Sequence, residues 1–200
     1  METIRGKTSQ CLDFTRLSDR LKNYPRVLLD LGTGDGRYVR TLADRHPNWF
    51  VIGVDSCREN LRISSLCDLP NALFVIASAQ DLPREFYGLI SHVTINFPWG
   101  SLLRSLLEGD AALLNGLACI SKPNAQIDIQ LNSGALAEAG TGLDAGTQIV
   151  HAHLIQSRWN IKVPHILDHH ALRDFPSTWA KRLAYGRDPH AVTLSGTFAE

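Results

Sequence analysis

The segment Val27–Gly36, VLLDLGTGDG, constrains this chain more than any other stretch. Four apolar residues broken only by Asp30 read as a buried strand. They run directly into Gly32, Gly34 and Gly36, and a helical pattern follows over 36–46. A strand that turns through glycines into a helix can bring main-chain N–H groups against a ligand with no Cβ in the way. The spacing is G-x-G-x-G, which differs from the G-x-G-x-x-G of dinucleotide folds. A second strand pattern then runs from Trp49 to Val54 and ends in Asp55, an acid placed to accept from both hydroxyls of a ribose. On residues alone, a turn for another nucleotide or a glycine loop without a ligand fits the same pattern.

Around that feature, strand and helix patterns alternate. Strands are predicted over 26–31, 49–55, 72–77, 90–97 and 125–131, and helices over 36–46, 58–66, 101–107, 110–121 and 146–159. Strands this rich in Val, Ile and Leu suit a parallel sheet covered on both faces. Residues 1–25 predict a short strand and then a helix carrying Leu12, Phe14, Leu17 and Leu21. Residues 164–175 and 179–198 read as β-rich segments joined by the turn Gly186-Arg187-Asp188-Pro189. The glycines and alanines of 133–146 suggest a mobile loop. Two hundred residues favour one domain: an extension over 1–25, a cofactor-binding core over 26–160 and a β-rich closing segment over 161–200. The glycine loop, the strand before it and Asp55 together resemble the cofactor half of a class I S-adenosylmethionine-dependent methyltransferase. That resemblance implies a Rossmann-like α/β fold, a seven-stranded mostly parallel sheet closed by a C-terminal antiparallel hairpin.

Composition narrows the partners. Twenty basic and twenty acidic residues balance, so nucleic-acid binding would have to rest on a local patch. The four cysteines form no C-x-x-C pair, and His151-x-His153 and His169-His170 lack a matching acid or thiolate, so no metal site is expected. No stretch reaches the length of a membrane span and the N-terminus has no apolar leader core, which predicts a cytoplasmic protein.

Two tryptophans stand out. Strand 90–97 runs into Asn96-Phe97-Pro98-Trp99-Gly100-Ser101, a loop that should face the ligand beyond the carboxyl ends of the strands. There Trp99 could stack on a flat substrate or fold back into the core. Trp179, placed at the start of a strand, lies beside Lys181, Arg182 and Arg187. Aromatic and cationic side chains together suit a base and its phosphates, and an ordinary solvated surface strand suits them equally. Trp49 and Trp159 read as core, and Glu59, Asp68, Asp81 and Glu85 as solvated carboxylates.

LDLGTGDGR, FPWGSLL, S-x-WAKRLAYGR and the N-terminal I-R-G-K-T, in that order, resemble the aminoglycoside-resistance 16S rRNA (adenine(1408)-N(1))-methyltransferases of the kanamycin–apramycin type. The resemblance covers nearly the whole chain. It implies methyl transfer from S-adenosylmethionine to N1 of an adenine flipped out of helix 44, in the assembled 30S subunit, by a monomeric enzyme. Trp99 and Trp179 would clamp the base, with Ser177 close to both base and cofactor. Cofactor contacts would come from Asp30, Gly32, Gly34, Gly36, Tyr38, Asp55, Ala79, Gln80, Asn96, Phe97, Pro98 and Ser101.

The chain departs from that pattern in one respect. The segment Ser64–Asn71 has no lysine where a close relative is lysine-rich, and Asp188, Pro189 and His190 follow Arg187. Docking on rRNA would then rest on Arg5, Lys7, Arg58, Arg62, Lys181, Arg182 and Arg187. Asn96-Phe97-Pro98-Trp99 also partly resembles the N-P-P-Y/F/W of adenine-N6 methyltransferases and the N-F-x-D-P-W of tRNA guanine-N7 methyltransferases. A weakly active or non-catalytic cofactor-binding RNA module is the reading from another class.

Overall fold

A computed structural model describes residues 1–185 and 190–199, apart from the side chains of Trp179 and Ala184. Among them lies one sheet of ten strands. Its middle is parallel, in spatial order β5 (Ala72–Ile76), β4 (Trp49–Asp55), β3 (Arg26–Leu31), β6 (Ile90–Asn96) and β7 (Ser121–Asn132). The core strands therefore fall close to their predicted ranges. β10 (Ala191–Phe198) runs antiparallel to β7, and the short β8 (Trp159–Ile161) and β9 (His165–Leu167) pair with β10. At the other edge, β1 (Glu2–Arg5) and β2 (Thr8–Cys11) form a hairpin beside β5, where one strand was predicted. The sheet is thus wider than the seven strands expected, because both ends of the chain add antiparallel strands to its edges.

The larger core lies between the sheet and helices α1 (Phe14–Leu21), α4 (Gly100–Glu108), α5 (Ala111–Ile120) and α7 (Leu143–Gln156). Leu17, Leu106, Leu117 and Leu154 are buried there against Leu29, Phe50, Val93 and Ile127. Trp159 belongs to this core, whereas Trp49 is only half-buried and stacks on His46. On the opposite face, α2 (Arg37–Arg45) sets Val39 and Ala43 against Leu28, Val51 and Phe74, with the short α3 (Arg58–Leu61) beside it. Exclusion of this much apolar surface from water is the main force holding sheet to helices.

Two segments differ from their predicted form. Residues 133–146 are ordered as α6 (Ser133–Glu138) and the first turn of α7. Gly146 serves close packing there: a Cβ would stand 2.6 Å from Leu136, a core residue. The glycine lets two helices touch rather than loosening a loop. The segments 164–175 and 179–198, expected to be β-rich, hold β9 and β10, but they also contain α8 (His169–Asp174) and most of α9 (Thr178–Ala184). Asp168 caps α8 by accepting from the Ala171 N–H at 2.8 Å, and Leu172 and Ala180 are buried with Phe97 and Ala191. Burial of one apolar face favours helices here over extra strands. The predicted turn 186–189 lies outside the described residues.

Candidate functional site

A cleft of about 600 Å³ opens at the carboxyl ends of β3, β4, β5 and β6. The chain order reverses between β3 and β6, and there the loops leave the sheet on opposite sides and part. The glycine loop forms one wall. Gly34 has φ +57° and Gly36 has φ +68°, and a Cβ on Gly36 would meet Phe74 at 2.6 Å and Ser64 at 2.8 Å. Gly36 therefore packs behind the wall and starts α2, while Gly32 and Gly34 line the cleft.

The loop's amides do not face a ligand as expected from the glycine spacing. Gly32 and Thr33 N–H groups donate to the Val54 carbonyl at 2.8 and 3.0 Å, and Gly34 N–H donates to Asp55 Oδ2 at 2.8 Å. The glycines give the backbone its left-handed path; β4 takes up the donors of Gly32 and Gly34, and Gly36 N–H donates to the Thr33 carbonyl at 3.1 Å. Asp55 Oδ1 meanwhile accepts from the Cys57 N–H at 2.8 Å. Asn60 Nδ2 also donates to Oδ1, at 3.4 Å, so it is Oδ2 that keeps a second lone-pair direction for a ligand hydroxyl.

Asp30 lies deeper, almost fully buried. Its Oδ1 accepts from Thr94 Oγ1 at 2.8 Å and from Asn96 Nδ2 at 2.7 Å. Burial pushes its pKa up to about 6, against the pull of those hydrogen bonds, and the nearby Asp55 charge adds to the rise. Beside it, Asn96 Oδ1 is a buried acceptor with no partner among the described residues. An unmatched acceptor beside a carboxylate whose charge is disfavoured by burial fits a cationic N–H donor, which would offset that cost. Tyr38 covers the same floor, and burial raises its pKa, with the charges of Asp30 and Asp128 adding to the effect.

A pH dependence follows. An unfolded aspartate titrates near 3.8 and this one at about 6, so the unfolded chain loses its proton first as pH rises. Stability should therefore fall across that window, by roughly 2–3 kcal/mol at full ionisation. Asp30→Asn keeps the Oδ1 acceptor and removes the titration. The variant is expected to melt higher than the wild type above the window, with a flatter pH profile through it. Thermal melts of both proteins across the window check this; parallel profiles would assign the pH dependence to another group.

The outer wall is formed by the loop after β6. Phe97 has φ +53°, left-handed for a side chain that normally avoids it. It is held by its N–H, which donates to the Gln130 carbonyl at 2.9 Å, and by its buried ring, edge-on to Phe175 at 5.5 Å. Trp99 follows at the mouth, 42% exposed, immediately before α4. The core alternative for Trp99 is thereby removed. Pro98, Ser101 and Ala79 line the cleft as well. Gln80 also lines it, but its amide is engaged by Ser105 at 2.7 Å and by Ser78 at 2.5 Å, so the side chain shapes its own loop.

The far wall comes from α9. Ser177, buried, and Thr178 and Arg182 reach the cleft. Trp179 sits in the first turn of this helix and not at the start of a strand; its side chain lies outside the described residues, as does Arg187. Of the cations expected to dock rRNA, Arg182 thus borders the cleft itself and Lys181 is exposed on the same helix. Arg58 pairs with Glu2 and bonds Ser9, fastening the N-terminal hairpin to α3, and Arg62 lies 3.3 Å from Glu59. Arg5 and Lys7 are exposed on that hairpin, with Arg5 3.7 Å from Asp68. Glu85, expected to be free in solvent, pairs with the Met1 ammonium, which holds its pKa below the usual carboxylate range.

Asp35, Thr178 and Phe175 were not predicted for the site, yet they join its walls. Thr178 Oγ1 donates to Asp35 Oδ2 at 2.6 Å, and Phe175 stacks on Tyr38 with centroids 5.3 Å apart. Asp35 had a local signal, its place inside the glycine loop. Thr178 is 143 residues away and had none. Among the described residues no group of His, Cys, Asp or Glu is placed to hold a metal, and no helix is long and apolar enough to cross a membrane.

The family model described as NpmA, 16S rRNA (adenine(1408)-N(1))-methyltransferase, matches residues 2–198. The chain is 31% identical to an Escherichia coli protein named 16S rRNA (adenine(1408)-N(1))-methyltransferase, over 98% of each chain. It is 30% identical to a protein of the same name from Streptoalloteichus hindustanus, over 94% of each. Among solved structures it is similar to the 16S rRNA methyltransferase KamB, with a TM-score of 0.89, 26% identity and full coverage of both chains. It also resembles the aminoglycoside resistance methyltransferase NpmB1, with a TM-score of 0.83, 31% identity and 99% coverage of each.

Proposed function

The chain belongs to the 16S rRNA (adenine(1408)-N(1))-methyltransferase family, and from that premise we propose how its cleft carries out the reaction. The enzyme transfers a methyl group from S-adenosylmethionine to N1 of adenine 1408 in 16S rRNA, which gives aminoglycoside resistance. One observation supports this reading most: a cleft at the β3/β6 reversal that joins Asp30, Asp55 and Asn96 on its floor to an exposed Trp99 at its mouth.

The residues fit the cofactor. Asp55 would accept from the ribose hydroxyls, and the unmatched Asn96 Oδ1 with Asp30 would receive the ammonium of the methionine part. Ala79 and the 77–80 loop would border the adenine end, with Gly32, Gly34, Tyr38, Phe97, Pro98 and Ser101 shaping the wall. S-adenosylmethionine, when bound, supplies an electrophilic sulfonium methyl.

N1 of neutral adenine carries an in-plane lone pair, so no side chain has to act as a base. The protein's task is to extract the ring and hold it flat and aimed. Trp99 offers an indole face at the mouth, and Trp179, by the family resemblance, offers the second. Two such faces also stabilise the positive charge the ring acquires on methylation. Ser177 stands between the cofactor floor and α9 and would steady both.

The substrate in this reading is the assembled 30S subunit, approached by a monomer in the cytoplasm. Arg5, Lys7, Arg58 and Arg62 on the hairpin side, and Lys181 and Arg182 on α9, would neutralise phosphates, and Arg187, by the family resemblance, would add to them. The domain arrangement is one unit, with an N-terminal extension over 1–25, a core over 26–160 and a closing segment over 161–200. Adenine-N6, guanine-N7 and non-catalytic readings are not favoured by the family match. Primer extension across helix 44, after treating 30S subunits with protein and cofactor, tests the reading. A strong reverse-transcription stop at adenine 1408 is expected, since a methyl on N1 blocks the pairing edge. Methyl incorporation without that stop would move the reaction to another atom.

A further inference from the structure

The glycine loop does more than line the cleft: it is bonded in two directions. Gly34 N–H donates to Asp55, and the next residue, Asp35, reaches the opposite wall. Asp35 Oδ1 accepts from the Arg37 N–H at 3.1 Å, at the start of α2, while Oδ2 accepts from Thr178 Oγ1 at 2.6 Å. Thr178 begins α9 and immediately precedes Trp179. One residue earlier than this pair, the Ser177 carbonyl accepts from Lys181 N–H at 3.3 Å, closing the first turn of α9.

We propose that Asp35 and Thr178 form a latch between the glycine loop and α9, and that this latch sets the position of Trp179 relative to the cofactor. Both are positioning residues. The proposal rests on the reading of Trp179 as a base-stacking residue. The bonded path runs Asp55, Gly34, Asp35, Thr178 and then Trp179, so the acid that would hold the cofactor and the helix that would hold the base share one loop. Phe175 supports the latch from the other side, stacked on Tyr38 and edge-on to Phe97.

The latch bond is solvent-exposed and buries no core, so its loss should change global stability little. A hydrogen bond to a carboxylate is nonetheless strong and directional enough to fix the first turn of a seven-residue helix. That contrast separates positioning from simple structural support.

The test uses Thr178→Val and Thr178→Ser in the full-length protein. Amide hydrogen exchange over 181–185 is followed alongside kcat for 30S methylation, cofactor KM and the melting temperature. Thr178→Val is expected to speed exchange and lower kcat by about tenfold each, with KM and melting temperature near wild type, and Thr178→Ser to restore both. Unchanged exchange, faster exchange with unchanged kcat, or a failure of serine to restore would each overturn the latch. If the wild type does not methylate adenine 1408, the functional reading fails. The exchange arm still reports whether the latch holds α9, and an unchanged rate there would overturn the latch independently.

Discussion

Trp99→Ala is expected to cut methyl transfer to the small subunit by about two orders of magnitude while leaving cofactor affinity within about threefold of wild type. The indole stands exposed at the mouth, away from the Asp30, Asp55 and Asn96 floor, and its loss removes a stacking face without touching the acids. A base–aromatic stack contributes about 1–3 kcal/mol in binding alone. The larger expected effect on rate reflects loss of aim, since a base stacked on one side can tilt N1 off the methyl. Radiolabelled methyl incorporation and calorimetric titration with S-adenosylhomocysteine separate the two quantities. Equal losses in rate and cofactor affinity would place Trp99 on the cofactor side of the cleft. Trp179→Ala is expected to behave the same way if α9 presents the second indole.

Asp55→Ala is expected to do the reverse, weakening cofactor binding by about a hundredfold before any rRNA is added. Two effects combine. The ribose hydroxyls would lose a charged acceptor, and the Gly34 and Cys57 amides, now bonded to the carboxylate, would lose theirs. The second effect releases the glycine loop and should also loosen Asp35. Asp55→Asn keeps an oxygen for one amide and is expected to retain part of the affinity. Titration of each variant with S-adenosylhomocysteine checks this; an alanine variant that binds like wild type would remove Asp55 from the cofactor site.

A chain with no net charge has to rely on local cations for binding RNA. Of the cations proposed to dock rRNA, Arg182 borders the cleft and Lys181 is exposed on the same helix, whereas Arg5, Lys7 and Arg58 stand on the N-terminal hairpin and α3. The segment Ser64–Asn71, without lysine, instead braces the glycine loop and α2: Ser64 Oγ donates to the Asp35 carbonyl in the loop, and Asn71 Nδ2 donates to the Ala43 carbonyl in the helix at 2.8 Å. Affinity for the subunit would accordingly depend on fewer phosphate contacts, with a shallower salt dependence than a lysine-rich linker would produce.

Much of this site was legible in local pattern. Apolar runs marked β3, β4, β5, β6 and β7 because a strand buried on both faces admits few polar residues. The glycine spacing before α2 and the acid closing β4 marked the cleft at the strand ends, since each follows from backbone geometry within a few residues. Trp99 was legible as a candidate from its place after a strand, and its exposure then removed the core alternative. What local pattern concealed was how the loop's donors are used. Gly32, Thr33 and Gly34 give their N–H groups to β4 and Asp55, a pairing decided by the parallel register of β3 and β4.

The helices α8 and α9 show the boundary most clearly. Their segment is rich in polar and aromatic residues with weak periodicity, so propensity alone allowed strands. Only burial of Leu172 and Ala180 against Phe97 and Ala191 makes the helical form the one that hides an apolar face. Sequence by itself determined the sheet's parallel core, the glycine turn and the acids at its strand ends, because those depend on neighbours along the chain. Tertiary structure alone decided that Asp35 meets Thr178, that Phe175 lies between Tyr38 and Phe97, and that Arg182 faces the cleft, because contacts between residues so distant along the chain leave no trace in local spacing.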